Sequence, residues 1–196
     1  MSEKKSAYQR KPTQQRRQEL IDAGIECLGK GGMSAFTIDK ICKQADVSRG
    51  LINHHFNTKN ELLLCIYASM TDYLVKDQPA VSPRQQVSAF IEGSLDEGTF
   101  QKSNLRAWLA IWGEVATNPA LKSLHEKRYA IYKNRLATSI ALVAKINHVK
   151  IDESAVARQL IALIDGLWLE YCLHSKEYSL TSAKIDCYQF IESKLS

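Results

Sequence analysis

Long apolar runs, glycine, proline and paired cysteines are all scarce in these 196 residues, and each scarcity removes a class of answer. No uncharged apolar stretch approaches the ~18 residues that a membrane-spanning helix requires. Nine Gly and four Pro are too few for a collagen-like or low-complexity chain. The five cysteines (Cys27, Cys42, Cys65, Cys172 and Cys187) are odd in number, and none forms a CxxC pair. No histidine stands at zinc-finger spacing from them. They are expected to be reduced thiols in a cytoplasmic protein, serving mostly as small core hydrophobes. The first eleven residues are polar and basic with no apolar segment, so no secretory leader is expected. GxSxG, HExxH, P-loop and Gly-rich dinucleotide patterns are missing, which argues against an enzyme, and no cofactor is expected. No segment alternates with period two, so no sheet is expected.

What is present is an ordinary globular composition, 45% apolar and 24% charged. A chain of this size buries roughly 70% of its unfolded surface and needs no metal or disulfide to fold. Charge is unevenly placed. Residues 1–60 hold 11 Lys+Arg against 6 Asp+Glu, a net +5, whereas residues 61–196 hold 15 of each. Positive charge confined to one end suggests a polyanion-binding unit joined to a neutral body. The expected organisation is a basic tail over residues 1–12, a polyanion-binding unit over 13–60, and a neutral body over 61–196.

Helical patterning runs through the chain. Leu20, Ile21, Gly24, Ile25 and Leu28 form one stripe, stopped by Gly31-Gly32. Thr37 is placed to cap a short helix with Ile38, Ile41, Cys42 and Ala45 on one face, and Asp46-Val47 breaks it. Ser48 then caps a second short helix through Phe56. Thr58 to Glu61 reads as a capping box for a longer helix that carries Leu62, Ile66, Met70, Tyr73 and Leu74. A break spans Gln78 to Pro83, and Ser82-Pro83 restarts the chain. Further helices carry Leu105 to Ala116, about 30 residues from Asn118-Pro119, a segment capped by Asp152 that ends near His174, and a last one from Thr181 or Ser182.

Residues 37–56, with their cap, short helix, tight turn, cap and short helix, have helix-turn-helix form. The second helix of such a pair lies in the major groove with its first turn against base edges. Here that turn is Ser48-Arg49-Gly50-Leu51, followed by Asn53, His54 and His55. Arg49 can pair with guanine O6/N7, Asn53 with adenine N6/N7, and Leu51 can touch a thymine methyl. Gly50 lets the backbone approach. Thr37, His54, His55 and Lys59 stand at helix ends, where they can hold phosphates. His54 and His55 are adjacent and point about 100° apart on a helix, a poor chelate, so no metal is expected.

The stretch from Phe36 to Gly50, with the continuation His54 to Leu63, resembles the helix-turn-helix of the TetR family of bacterial repressors. Leu105 to Trp112 and Ala162 to Leu169 resemble the BetI-type members, which control conversion of choline to glycine betaine. Arg49 stands where that type has a small hydroxyl residue, and His55 where it has Tyr, which points to a different operator. The resemblance implies an all-α fold of nine helices, three binding DNA and six forming a ligand and dimer domain. It also implies a homodimer on a palindromic operator, with the last two helices of each subunit in a four-helix bundle.

All three tryptophans lie in the larger unit. Trp108 and Trp112 share a helix face at spacing four, and Asp165, Trp168 and Tyr171 follow at spacing three. An acid inside so apolar a segment is costly without a partner, which would be a backbone group, an arginine such as Arg106, or a ligand. Aromatic faces around a carboxylate suit a quaternary ammonium such as choline. Tyr129, Tyr132 and Glu114 are secondary candidates for the wall. Tryptophans at helical spacing also suit core or dimer packing. The helix from about Val156 to Leu173 is apolar almost all round, and a twofold mate would cover it, with Gly166 allowing close approach. The expected function is a ligand-responsive repressor sensing choline or a related small cation. The alternatives are a repressor of other genes with a different amine or apolar effector, and a DNA-binding protein with no effector.

Overall fold

The computed structural model describes residues 12–75, 82–98, 101–174 and 179–196. The expected basic tail and most of the expected break before Pro83 lie outside them. Every regular element among the described residues is a helix: α1 (Thr13–Ala35), α2 (Ile38–Ala45), α3 (Arg49–His55), α4 (Lys59–Met70), α5 (Asp72–Val75), α6 (Pro83–Ser94), α7 (Lys102–Val115), α8 (Pro119–Ile146), α9 (Glu153–His174) and α10 (Leu180–Leu195).

Local chemistry explains most boundaries. In α1 the backbone leaves helical geometry at Gly31 and Gly32, and Gly32 takes φ 61°, which only glycine adopts cheaply. Thr37 Oγ1 accepts from the Lys40 N–H at 3.3 Å to start α2. Asp46, at φ 52°, ends that helix by donating its N–H to the Cys42 carbonyl. Ser48 stands at the start of α3 in extended geometry, but its hydroxyl makes no capping bond, contrary to expectation. Thr58 caps α4 through the Glu61 N–H at 3.0 Å. The Glu61 carboxylate reaches back one residue further than a capping box requires, to the Asn57 N–H at 2.9 Å. Ser82 and Gln85 close a full capping box, with Pro83 in the first turn of α6. Asn118 and Asp152 cap α8 and α9.

Two expectations need correction. The fourth helix does not run unbroken to Leu74. The Thr71 hydroxyl donates back to the Tyr67 carbonyl at 2.7 Å, and the residue itself sits at φ −101°, ψ 2°. Such back-bonding competes with the helix, and the chain restarts as the one-turn α5, giving ten helical segments among the described residues where nine were expected. The last helix begins earlier than Thr181, because Ser179 takes the cap and accepts from the Ser182 N–H at 3.3 Å.

The buried apolar residues form one continuous cluster, from Leu20 and Phe56 through Ile66 and Trp108 to Ile164 and Leu195. Helix α1 packs on α7, α2 and α4; α8 packs on α6 and α9; α9 also meets α7 and α10. The α1–α7 approach is close because of Gly29. A Cβ there would stand 2.5 Å from the Ser103 carbonyl oxygen, a backbone atom that cannot rotate away. At Gly93 of α6, by contrast, an added Cβ meets nothing within 4 Å. Gly29→Val should force α1 and α7 apart at a cost of roughly 1–3 kcal/mol. A thermal melt should show Tm lowered by roughly 3–10 °C, with Gly93→Ala unchanged or slightly higher. Equal melting of the two variants would disprove the close contact.

Candidate functional site

Two groups of residues stand out, at opposite ends of α4. At the N-terminal end, α3 is anchored by buried Ile52 and Phe56. It turns Arg49, Gly50, Asn53 and His54 to solvent, with Leu51 and His55 half-buried. Thr37, Ser48 and Lys59 are exposed around it, so all nine sequence-chosen residues lie on or beside one helix-turn-helix. Lys59 opens α4 with its ammonium 5.8 Å from the Phe36 ring centre. The two hydroxyls differ, since that of Thr37 caps α2 and that of Ser48 does not cap α3.

Arg49 is already engaged. Its Nε and Nη2 donate to the two carboxylate oxygens of Asp39, both at 2.5 Å, across the turn between α2 and α3. That bond and charge raise the guanidinium pKa further above its ordinary value. Sequence spacing gave no sign of this pair. Burial, then the neighbouring charges of His54, Arg17 and Arg16, lower the His55 pKa, so α1 as well as α3 contributes positive charge beside it. Arg17 lies 4.8 Å over the Phe56 ring and donates to Cys65 Sγ at 2.8 Å, so it ties α1 to both α3 and α4.

The second group surrounds a cavity of about 60 Å³ enclosed by α4 to α9. Trp108, Trp112 and Trp168 make one wall, with ring centres 5.7–6.1 Å apart. They pack on one another, so they are a single surface and not a box around a cation. The Trp168 indole N–H donates to the Ser94 carbonyl at 3.1 Å, which fixes that ring. The lining continues with Tyr67, Tyr73, Phe90, Tyr129 and Tyr132. Phe90 stacks on Tyr132 at 5.5 Å, Tyr129 meets Tyr132 edge-on at 5.3 Å, and the Tyr67 hydroxyl shares a 2.8 Å hydrogen bond with His125 Nδ1. Burial pushes the Tyr67 phenol up to about 12 and lowers the His125 pKa, so both are neutral at pH 7.

Two charged residues face this aromatic space. Arg128 donates from Nη2 to the Ala68 carbonyl at 2.9 Å and lies 3.4 Å from Asp72. Its Nε is buried with no hydrogen-bond partner. Asp165, from α9, makes no hydrogen bond or ion pair among the described residues. Burial raises its carboxyl pKa to about 6. Arg106, one of the partners the sequence allowed for it, lies instead in a cleft on the α1 side of α7, together with Glu114.

Of the five sequence-chosen ligand residues, Trp108, Trp112, Asp165 and Trp168 line the cavity together, and Tyr171 does not. Tyr129 and Tyr132 do line it, and Glu114 does not. Tyr67, Tyr73, Phe90, His125 and Arg128 were not marked by the sequence as ligand residues, because only tertiary packing brings their separate helices together.

No helix among the described residues is long and apolar enough to cross a membrane. Comparison with known proteins places both halves. Residues 20–66 match the family of bacterial regulatory proteins of the tetR type, and residues 83–196 match the C-terminal domain of BetI-type transcriptional repressors. The HTH-type transcriptional regulator BetI of Pseudomonas paraeruginosa is 31% identical over 188 residues, 92% of this chain and 93% of its own length. The BetI of Yersinia pestis is 29% identical over the same shares. A transcriptional regulator from Pseudomonas aeruginosa PAO1 superposes with a TM-score of 0.82 at 30% identity, covering 97% of this chain and 95% of that one. A regulator from Saccharomonospora viridis, solved in complex with choline, superposes at 0.79 with 21% identity, covering 91% and 96%. With a BetI-type model over more than half its length and a relative above 30% identity over nearly all of it, the chain belongs to the TetR family of transcriptional regulators and is a BetI-like repressor, not an enzyme.

Proposed function

We propose that the protein is a homodimeric, cytoplasmic repressor of a palindromic operator, and that choline or a similar small quaternary ammonium weakens its hold on DNA and so controls betaine-synthesis genes. The observation that carries this reading is Asp165, a carboxylate with no partner among the described residues, facing an aromatic cavity. A half-buried, partly desolvated charge of that kind is costly until a counter-charge arrives. Arg128 is not that counter-charge, since Asp72 balances it. A quaternary ammonium has no proton to donate and is held by charge and ring faces alone, each contact contributing roughly 0.5–2 kcal/mol. The hydroxyl oxygen of choline would accept from the orphaned Arg128 Nε. The Saccharomonospora regulator of the same fold holds choline, which supports the assignment.

On DNA, Arg49, Leu51 and Asn53 would read bases. Gly50 would permit close approach, and Thr37, Ser48, His54, His55 and Lys59 would grip phosphate. The guanine O6/N7 edge offers two acceptors, as the Asp39 carboxylate does, so Arg49 can exchange one for the other without changing its bidentate geometry. A twofold mate would be seated on the outer face of α9. There Gly166 is open, and Leu169 and Leu173 are 44% and 65% exposed. Two recognition helices would then meet half-sites about 34–36 Å apart.

Arg49→Ala should weaken operator binding by about 1–3 kcal/mol and relax preference at one base position in each half-site, whereas Lys59→Ala should weaken specific and random duplex alike. Gel shifts on both duplexes check this, and identical behaviour of the two variants would contradict the assigned roles.

Asp165 adds a pH dependence. The folded carboxyl titrates near 6, above an ordinary aspartate at 3.8, so folding stability falls as pH rises through that window and the loss persists above it. Asp165→Asn should therefore raise Tm at pH 7.5, by roughly 2–6 °C, and abolish the thermal shift caused by choline. In the unmutated protein choline affinity should fall by up to about tenfold per pH unit below pH 6, as the carboxylate takes up its proton. A choline titration by calorimetry that is flat from pH 7.5 to 5 would remove Asp165 from the site.

A further inference from the structure

The aromatic cavity is not isolated. A second space of about 680 Å³ lies between α6 and α8, against about 60 Å³ for the first, and the two share Tyr73, Leu74, Phe90, Ser94 and Tyr132 as walls. The shared partition is the stacked Phe90–Tyr132 pair, whose rings are 5.5 Å apart and within 15° of parallel. Beyond it the space has an apolar floor that includes Ala89, Gly93 and Leu136, and a polar rim that includes Asn134, Arg135 and Thr138. Negative charge and volume are thus separated: Asp165 lines the small chamber, and no carboxylate among the described residues lines the large one.

We propose that this second space is a tail chamber and that the effector is a head-and-tail cation. Its trimethylammonium head sits at Asp165, and its alkyl or acyl chain of several carbons lies between α6 and α8. This rests on the ammonium reading of the inner cavity and extends it. Choline would fill the head site and leave the larger chamber to water. A chain would displace that water from apolar wall, with two- to fourfold tighter binding expected for each methylene buried. The rim would accommodate a hydroxyl, ester or amide along the chain.

A series of trimethylammonium salts with methyl, butyl, hexyl and octyl as the fourth substituent tests this by titration calorimetry. All should bind the unmutated protein, with Kd falling two- to fourfold per methylene up to hexyl. Gly93→Trp fills the tail chamber from a position where an added side chain meets open space and which does not line the head cavity. It should flatten the series and leave the Kd of tetramethylammonium within about twofold. Ala89→Trp, from the same wall, should do the same. Tetramethylammonium binding with no gain along the series, or a gain unchanged in both tryptophan variants, overturns the tail chamber while the head site stands. Failure of every salt, tetramethylammonium included, overturns the head site and the tail chamber together.

Discussion

Helix α7 is packed on two sides at once, and the rest of the architecture follows from that. On one side Gly29 brings α1 onto the Ser103 carbonyl, with no room for even a methyl group. On the other, Trp108 and Trp112 form part of the cavity wall and touch Trp168 of α9. Close-packed interfaces of this sort do not deform smoothly; they shift between discrete arrangements. An occupant of the cavity would therefore press on the same helix against which α1 rests.

Asp165 makes that cavity something other than core. Filled with carbon, such a space would stabilise the fold; lined by a desolvated carboxylate, it destabilises the empty protein above pH 6. On the proposed reading, a cation that matches the carboxylate would recover this energy, and a preference for one conformation over another is the differential affinity that a ligand needs in order to shift an equilibrium. The neutral Tyr67–His125 pair and the Asp72-balanced Arg128 leave no second charge to compete for the same ligand.

Much of this was legible in the sequence, and what was not failed for identifiable reasons. Caps are local, so Thr37, Thr58, Ser82, Asn118 and Asp152 marked real helix starts. Ser179 was passed over because Thr181 and Ser182, equally able to cap, stand beside it. The break at Thr71 depends on a hydroxyl turning back onto its own helix, which no spacing rule announces. Tyr171 fails by rotation. A step of three along a helix turns about 60° away, so Trp168 stays near the face of Asp165 while Tyr171 lies about 120° round. The tyrosine wall comes from three separate helices, and only tertiary packing assembles it. Asp39 carried no mark because its partner, Arg49, lies ten residues on, across a turn.

Helix α4 completes the link between the two ends. Lys59 stands in its first turn beside Phe36, and Tyr67, eight residues later, lies against Trp108 and His125 in the cavity wall. Eight residues of helix span about 12 Å, too short for a helix to bend appreciably. The Thr58 cap and the Glu61–Asn57 bond tie the start of α4 to the chain leaving α3. Arg17, over Phe56 and bonded to Cys65, ties α1 to the same place. A shift of Tyr67 on filling the cavity would thus reach Lys59 and α3 with little loss along the way. In the proposed twofold dimer any such tilt would act on both recognition helices in opposite directions, so a small change at each cavity would double in the separation that must match the groove spacing.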